Sequence, residues 1–406
     1  MYPLSNDSEF SFVLLENLAL AEGHGASAGE ILAAITTIEY GNFESLYSSF
    51  FGLANRIKAI ADTIDAQRFP VSAREAYFRI ATYFRAADFF IHGNVSDPRI
   101  YSLWDSQTAA FNKAISLLPV PGERITLQGN GFQIPAIFYA PPNSNCGAPR
   151  PTIVVGNGYD ASQEESLHLM GFEILDRGWN FVTYEGPGQP TVRRDQNLGF
   201  IPEWWEVVTP VVDYLSTRSD VDMSSLALVG ISFGGSLAPR VAAYEHRFAA
   251  VMAIDGMYSI QAAFEADIDP RLVELFNSGN QTAFDNAMNQ IRLDPTQPSS
   301  IRWLIDQGLF AFDTSSPFNW FSQLGNYSLD GLYDKITSPV FIGDGQDDVL
   351  VPGQAQVVAD NLGDLATLYK FNNSLGAGQH CQLGAGPYLA QVSMDWFQGV
   401  LDAKHQ

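Results

Sequence analysis

The chain has 406 residues, with 22 Lys+Arg against 45 Asp+Glu and a formal net charge of −23. Hydrophobic residues make up 46% and charged residues 17%, which excludes wholesale disorder. A pI near 4.4 argues against nucleic acid or an anionic membrane as partner, because phosphate binding needs clustered Lys and Arg.

Length suggests roughly two to three domains, or one large α/β domain with an insertion. No apolar run reaches the roughly 18 residues of a membrane span. The start, MYPLSNDSEFSF, has acidic residues where a secretory leader carries positive charge, so a cytoplasmic location is expected. Two cysteines, Cys146 and Cys381, do not make a disulfide scaffold.

Residues 1–120 read as helical, a cap region without strands. Ser27 begins one helix, with Ile31, Leu32 and Ile35 on one side. Residues 72–93 place Tyr77, Ile80, Phe84 and Ala87 at three- and four-residue steps, and Ser72 with Glu75 forms a capping-box pattern. A further helix fits 104–118. After Pro121-Gly122 the period changes. Runs at 124–128 and 132–139, separated by Gly129-Asn130-Gly131, predict a hairpin. Residues 141–150, rich in Pro, Gly and Asn, predict a surface loop.

Strand patterns then fall at 152–155, 180–184, 226–231, 249–254, 339–342 and 366–371, with helices between most of them. Continuous Val/Ile runs alternating with helices predict an α/β fold with a mostly parallel sheet covered on both faces. The connection 256–338 far exceeds an ordinary loop of roughly 2–6 residues. Helical signals at 269–276, 282–291 and 300–307 mark it as a helical lid insertion. The expected organisation is a cap (1–120), a first core part (121–255), the lid (256–338) and a second core part (339–406).

The strongest chemical signal is Gly230-Ile231-Ser232-Phe233-Gly234-Gly235, between an apolar run and a helical stretch. This is the strand–turn–helix context of G-x-S-x-G. The glycines permit a sharp turn that exposes the serine at the carboxyl end of the sheet. A serine nucleophile needs a base, and the order serine, acid, histidine applies. His380 follows the last strand. His405 is nearly terminal, and His246 falls at the far end of the helix after the serine. The acid should follow the preceding strand, where Asp344, Asp347 and Asp348 compete. Gly345-Gln346-Asp347-Asp348 before Val351-Pro352 selects Asp348, with Asp347 next and Asp344 structural.

The oxyanion donors are expected to be the backbone N–H groups of Phe233 and Tyr159, the latter in the loop Gly156-Asn157-Gly158-Tyr159-Asp160. Gly158, Asp160 and Glu185 are expected at the substrate. Trp204-Trp205 reads as packing, Arg193-Arg194 as a surface ion pair, and Cys381 as a buried inert thiol. His92 and His168 have no partner pattern. No metal-ligand spacing occurs, so neither metal nor cofactor is expected.

The combination resembles the α/β-hydrolases with an N-terminal helical cap that include dihydropseudooxynicotine hydrolase and the FrsA-type esterases. The matching stretches are 74–90, opening R-x-A-Y-x-R-x-x-x-Y-x-R-x-A, GNGYDASQEE (156–165), EGPGQ (185–189), GISFGG (230–235), GQDDVLVP (345–352) and GAGQHCQLGA (376–385). Length and style also resemble fungal hydrolases of polyketide gene clusters, such as those for fusarins and cytochalasans. The resemblance implies hydrolysis of a C–C bond in a 1,3-dicarbonyl-type substrate, or of an ester or thioester. A lyase or cyclase on the same scaffold is the alternative. A binding protein with a vestigial site is a more remote one. The partner expected is a mid-sized apolar small molecule, and a homodimer stays open.

Overall fold

The computed structural model describes residues 2–142 and 148–404. Cys146, His405 and much of the predicted loop 141–150 lie outside the described residues. Five helices precede the first strand: α1 (Ser8–Ala19), α2 (Ala28–Ile35), α3 (Phe43–Ala61), α4 (Pro70–Asp88) and α5 (Arg99–Ser116). Asp7 caps α1 by accepting from the Glu9 and Phe10 N–H groups, and Asn42 caps α3 through Ser45.

Two local expectations fail in this region. Ser72 and Glu75 form no capping box, because α4 already begins at Pro70, a residue whose fixed φ suits a first helical position. Glu75 pairs instead with Arg74 and His24. Leu32 points to solvent, since the buried stripe of α2 is Ile31 and Ala34.

The sheet follows. The hairpin β1 (Glu123–Gln128) and β2 (Gln133–Tyr139) is antiparallel. The remaining strands are β3 (Arg150–Gly156), β4 (Asn180–Tyr184), β5 (Val221–Ile231), β6 (Ala250–Ile254), β7 (Val340–Gly345) and β8 (Ala366–Phe371). Their order is β1-β2-β4-β3-β5-β6-β7-β8, parallel from β4 to β8. Both neighbours of β3 follow it in the chain, one on each side. The winding therefore reverses there, and the crevice beyond the carboxyl ends of β3 and β5 is where such sheets place their sites. No described helix is long and apolar enough to cross a membrane.

Connecting helices cover both faces: α6 (Phe172–Asp176), α7 (Pro190–Gln196), α8 (Trp205–Ser216) and α9 (Gly234–Ala242). Between β6 and β7 run α10 (Ile260–Asp267), α11 (Pro270–Asn277), α12 (Gln281–Leu293), α13 (Ser299–Ala311) and α14 (Pro317–Leu324). The chain ends with α15 (Gln354–Leu362) and α16 (Gly386–Lys404). Trp204 is fully buried, as packing requires. Helix α13 meets the N-terminal helices where Trp303 stacks on Phe89, just after α4, with ring centroids 5.0 Å apart. Ser299 donates to Asp7 at 2.5 Å.

Arg193 and Arg194 are not at the surface. Helix α7 is wedged between α4, α5 and the end of α13. Arg193 pairs with Asp313 and donates to the Phe310 carbonyl. Arg194 pairs with Asp88 at 2.5 Å, with both side chains almost wholly buried. Asp88 also contacts His92, whose other ring nitrogen meets Gln307 at 2.6 Å. His168 likewise has a partner, donating to the Gly23 carbonyl. Removing one member of a buried pair strands the other charge, at about 3–5 kcal/mol. Asp88→Ala should lose stability by that amount in urea unfolding. An unchanged midpoint would show that the pair contributes nothing.

Candidate active site

Strand β5 ends in a turn with Ser232 at φ 60°. That left-handed backbone is uncommon for serine and costs about 1–3 kcal/mol. The glycines around it are sterically required. A Cβ at Gly230 would strike the Gly234 carbonyl oxygen, and one at Gly235 would strike the Asp255 carbonyl. The strain lifts the Ser232 side chain to a partly accessible position ahead of α9.

The loops after β7 and β8 meet this serine. His380 Nε2 lies 2.9 Å from Ser232 Oγ, and His380 Nδ1 lies 2.8 Å from Asp348 Oδ2. An ionised carboxylate can only accept, so Nδ1 carries the proton and Nε2 is left to accept from the serine hydroxyl. Asp348 also accepts from the Leu350 and Val351 N–H groups. Burial works to raise its pKa, yet His380 and these donors hold it below the usual carboxylate value. Burial likewise works against charge on His380, but the neighbouring carboxylates outweigh it and raise its pKa well above that of free imidazole. Asp347 is exposed and accepts from Asn373, tying the two loops together. Asp344 lies within β7.

One member of this cluster had not been anticipated. Asp255, directly after β6, is fully buried and places Oδ2 3.0 Å from His380 Nδ1. An acid at the carboxyl end of a parallel strand, before Gly256, was the available signal. Cys381 is buried beside it, and burial pushes its thiol up to about 12, so it stays a thiol at neutral pH. Asp255, His380 and Cys381 are also the described grouping whose ligand atoms, within 4.8 Å of one another, approach what a metal ion needs. A protonated thiol and a histidine nitrogen already bonded to Asp348 fit such an ion poorly.

The loop after β3 lies against the serine turn. A Cβ at Gly158 would come within 2.6 Å of the Phe233 nitrogen, so glycine permits this approach. Among the described residues, no backbone carbonyl accepts from the Phe233 or Tyr159 N–H. Three side chains grip the loop's carbonyls. Buried Gln189 donates to Asn157 O at 2.7 Å and Gly158 O at 3.3 Å, Gln307 donates to Tyr159 O, and Arg85 donates to Asp160 O. The Gly158 carbonyl and the Tyr159 N–H share one peptide plane and point opposite ways. Holding the carbonyl therefore aims the N–H. Glu185 is placed differently from expectation. It is fully buried, and its oxygens accept from the Gln163 and Thr191 N–H groups, so it braces β4 against α7 rather than facing a ligand.

Helix α1 brings in groups that the sequence reading left out. Phe12 packs on His380 with ring centroids 6.3 Å apart. Glu9 and Glu16, at i−3 and i+4, share that side of the helix. Both are partly accessible. Burial first, then the charges of Asp160, Asp7 and Asp267, push the Glu9 carboxyl from 4.5 up to about 8. The folded chain thus holds the Glu9 proton at a pH where the unfolded chain has lost it. Ionisation then works against the folded state between about pH 4.5 and 8. Glu9→Gln should raise the Tm at pH 8–9 and leave it unchanged below about pH 4.5. An equal shift at all pH values would refute the protonated state.

The match to the Prolyl oligopeptidase family spans residues 208–299, the stretch carrying β5, the serine turn and β6. The hydrolase LUC6 of Fusarium sp is 28% identical, with 98% of this chain and 97% of that protein covered. The 20-hydroxy-prefusarin hydrolase FUS2 of Gibberella moniliformis is 28% identical, covering 82% of this chain and 81% of that protein. Among solved structures, the 2,6-dihydroxy-pseudo-oxynicotine hydrolase superposes with a TM-score of 0.75 at 20% identity, covering 96% of each chain. The chain has the α/β-hydrolase fold, which it shares with that oxynicotine hydrolase, and it is similar over nearly its whole length to fungal hydrolases such as LUC6.

Proposed function

We propose that the protein is a serine-dependent hydrolase that cleaves a C–C bond of 1,3-dicarbonyl type, an ester or a thioester in a mid-sized apolar substrate. The observation that carries this reading is the aligned contact Ser232–His380–Asp348. Ser232 Oγ attacks the substrate carbonyl while His380 Nε2 takes its proton, and Asp348 orients the imidazolium. The Phe233 and Tyr159 N–H groups hold the oxyanion. Collapse expels an alkoxide, thiolate or enolate, which takes the proton from His380, at carbon in the enolate case. Water, activated by the same imidazole, then releases the acyl group and regenerates Ser232.

An apolar substrate body is favoured by rings around the site. Phe264 and Trp303 pack on Tyr159, and Phe12 packs on His380. The cap (1–120) and the lid (256–338) enclose that space and exclude water. Two fungal relatives named as hydrolases, one acting on 20-hydroxy-prefusarin, support a place in fungal secondary metabolism of the polyketide kind.

Ser232→Ala should lower kcat/KM for an activated ester by at least about 10⁴-fold. Product mass should show one water added, and a product that has lost water would point to cyclisation instead. Gln189→Met frees the Gly158 carbonyl and mis-aims the Tyr159 N–H. It should cut kcat by about 10–100-fold with KM nearly unchanged, below the 10²–10³ for a whole oxyanion donor. Unchanged kcat in a folded variant would remove Tyr159 from the oxyanion site.

A further inference from the structure

His380 Nδ1 has two carboxylate partners, Asp348 Oδ2 at 2.8 Å and Asp255 Oδ2 at 3.0 Å. They come from different strands, β7 and β6, and approach one ring nitrogen that bears a single proton. Asp255 is the more buried of the two, with 1% exposure against 8%. Its backbone is held at φ 58°, and the segment it grips contains two further left-handed residues, Cys381 (φ 55°) and Gln382 (φ 52°). The carboxylate accepts from the Cys381 N–H and from Gln382 Nε2. Three strained non-glycine residues meeting at one carboxylate mark a place where the surrounding structure over-determines the geometry. A carboxylate needed only to brace the 380–382 loop has no reason to reach the imidazole as well.

We propose that Asp255 is a second positioning carboxylate for His380, sharing the Nδ1 proton with Asp348 and able to orient the ring alone when Asp348 is neutralised. This rests on the hydrolase reading given above. The two acids divide the work by environment. Asp348 also accepts two backbone N–H groups and sits nearer water, so it is the ionised partner. Asp255 lies in full burial, which together with the nearby Asp348 charge raises its pKa to about 6 against the pull of His380. The ionisable groups facing His380 are Asp348, Asp255 and Cys381 from the core, Asp160 from the β3 loop and Glu9 from α1. Of these, Asp348 and Asp255 each place a carboxylate oxygen within 3.0 Å of Nδ1.

The test is hydrolysis of a p-nitrophenyl ester by wild type, Asp348→Asn, Asp255→Asn, the double variant, His380→Ala and Ser232→Ala. A triad with a single carboxylate loses about 10⁴-fold on conversion of that acid to its amide. Here Asp348→Asn should lose only about 10–100-fold and remain well above His380→Ala, and the double variant should fall to the His380→Ala level. Asp255→Asn should move the acid limb of the pH–kcat/KM profile to lower pH, because one of the two charges that stabilise the imidazolium is gone. A purely structural brace would lower kcat without moving that limb. Asp348→Asn as inactive as His380→Ala would overturn the proposal, and this comparison holds even if Asp255→Asn fails to fold. Retention of wild-type turnover by Ser232→Ala would instead overturn the hydrolase reading, a separate result.

Discussion

A serine held at φ 60° survives at the end of β5 because Gly230, Gly234 and Gly235 leave no Cβ in the path of the turn. Everything else in the site is arranged around that fixed oxygen. The turn packs against Gly158 of the β3 loop, and adjacent parallel strands put the two loops side by side at the point where the winding reverses. The loops after β7 and β8 then need only a short reach to bring Asp348 and His380 into line. Strain in one residue is offset by a sheet whose central strands are buried on both faces, with Val154 and Leu228 enclosed on one and Ile153 and Val229 on the other.

The second organising theme is buried charge. The net charge of −23 suggests a surface matter, yet several ionisable groups that shape the site are interior. Arg194 and Asp88 join α7 to α4, and His92 with Gln307 extends that chain to the carbonyl of Tyr159. Arg85, also buried, holds the next carbonyl and faces Asp160 and Glu165. A continuous polar path thus runs from the N-terminal helices, through α13, to the loop beside the serine. Such a path holds the backbone of that loop in one conformation. It also makes the N-terminal helices part of the site rather than a detachable cover.

The fold was legible where one physical signal dominates. Runs such as Ile153, Val154 and Val155 are β-branched, bounded by turn residues and separated by helical stretches, and they locate the parallel strands to within a few residues. The serine turn and its histidine were legible because the chemistry restricts residue type and order. The bounds of helix α1 were not, since its acidic start hides the apolar stripe of Phe10, Val13 and Leu14. Asp255 and Gln189 were not, because their roles depend on partners more than thirty residues away. Arg194 was misplaced for a related reason. An arginine pair in an acidic chain reads as solvated, and nothing local reveals that Asp88 waits for it in the interior.

These features meet in one central claim, that Ser232 is a nucleophile made reactive by His380. The direct measurement is reaction with a fluorophosphonate followed by peptide mass mapping. A single adduct on Ser232, formed far more slowly in His380→Ala, is the predicted result. Absence of labelling in the folded protein, or an adduct on another residue, would contradict it.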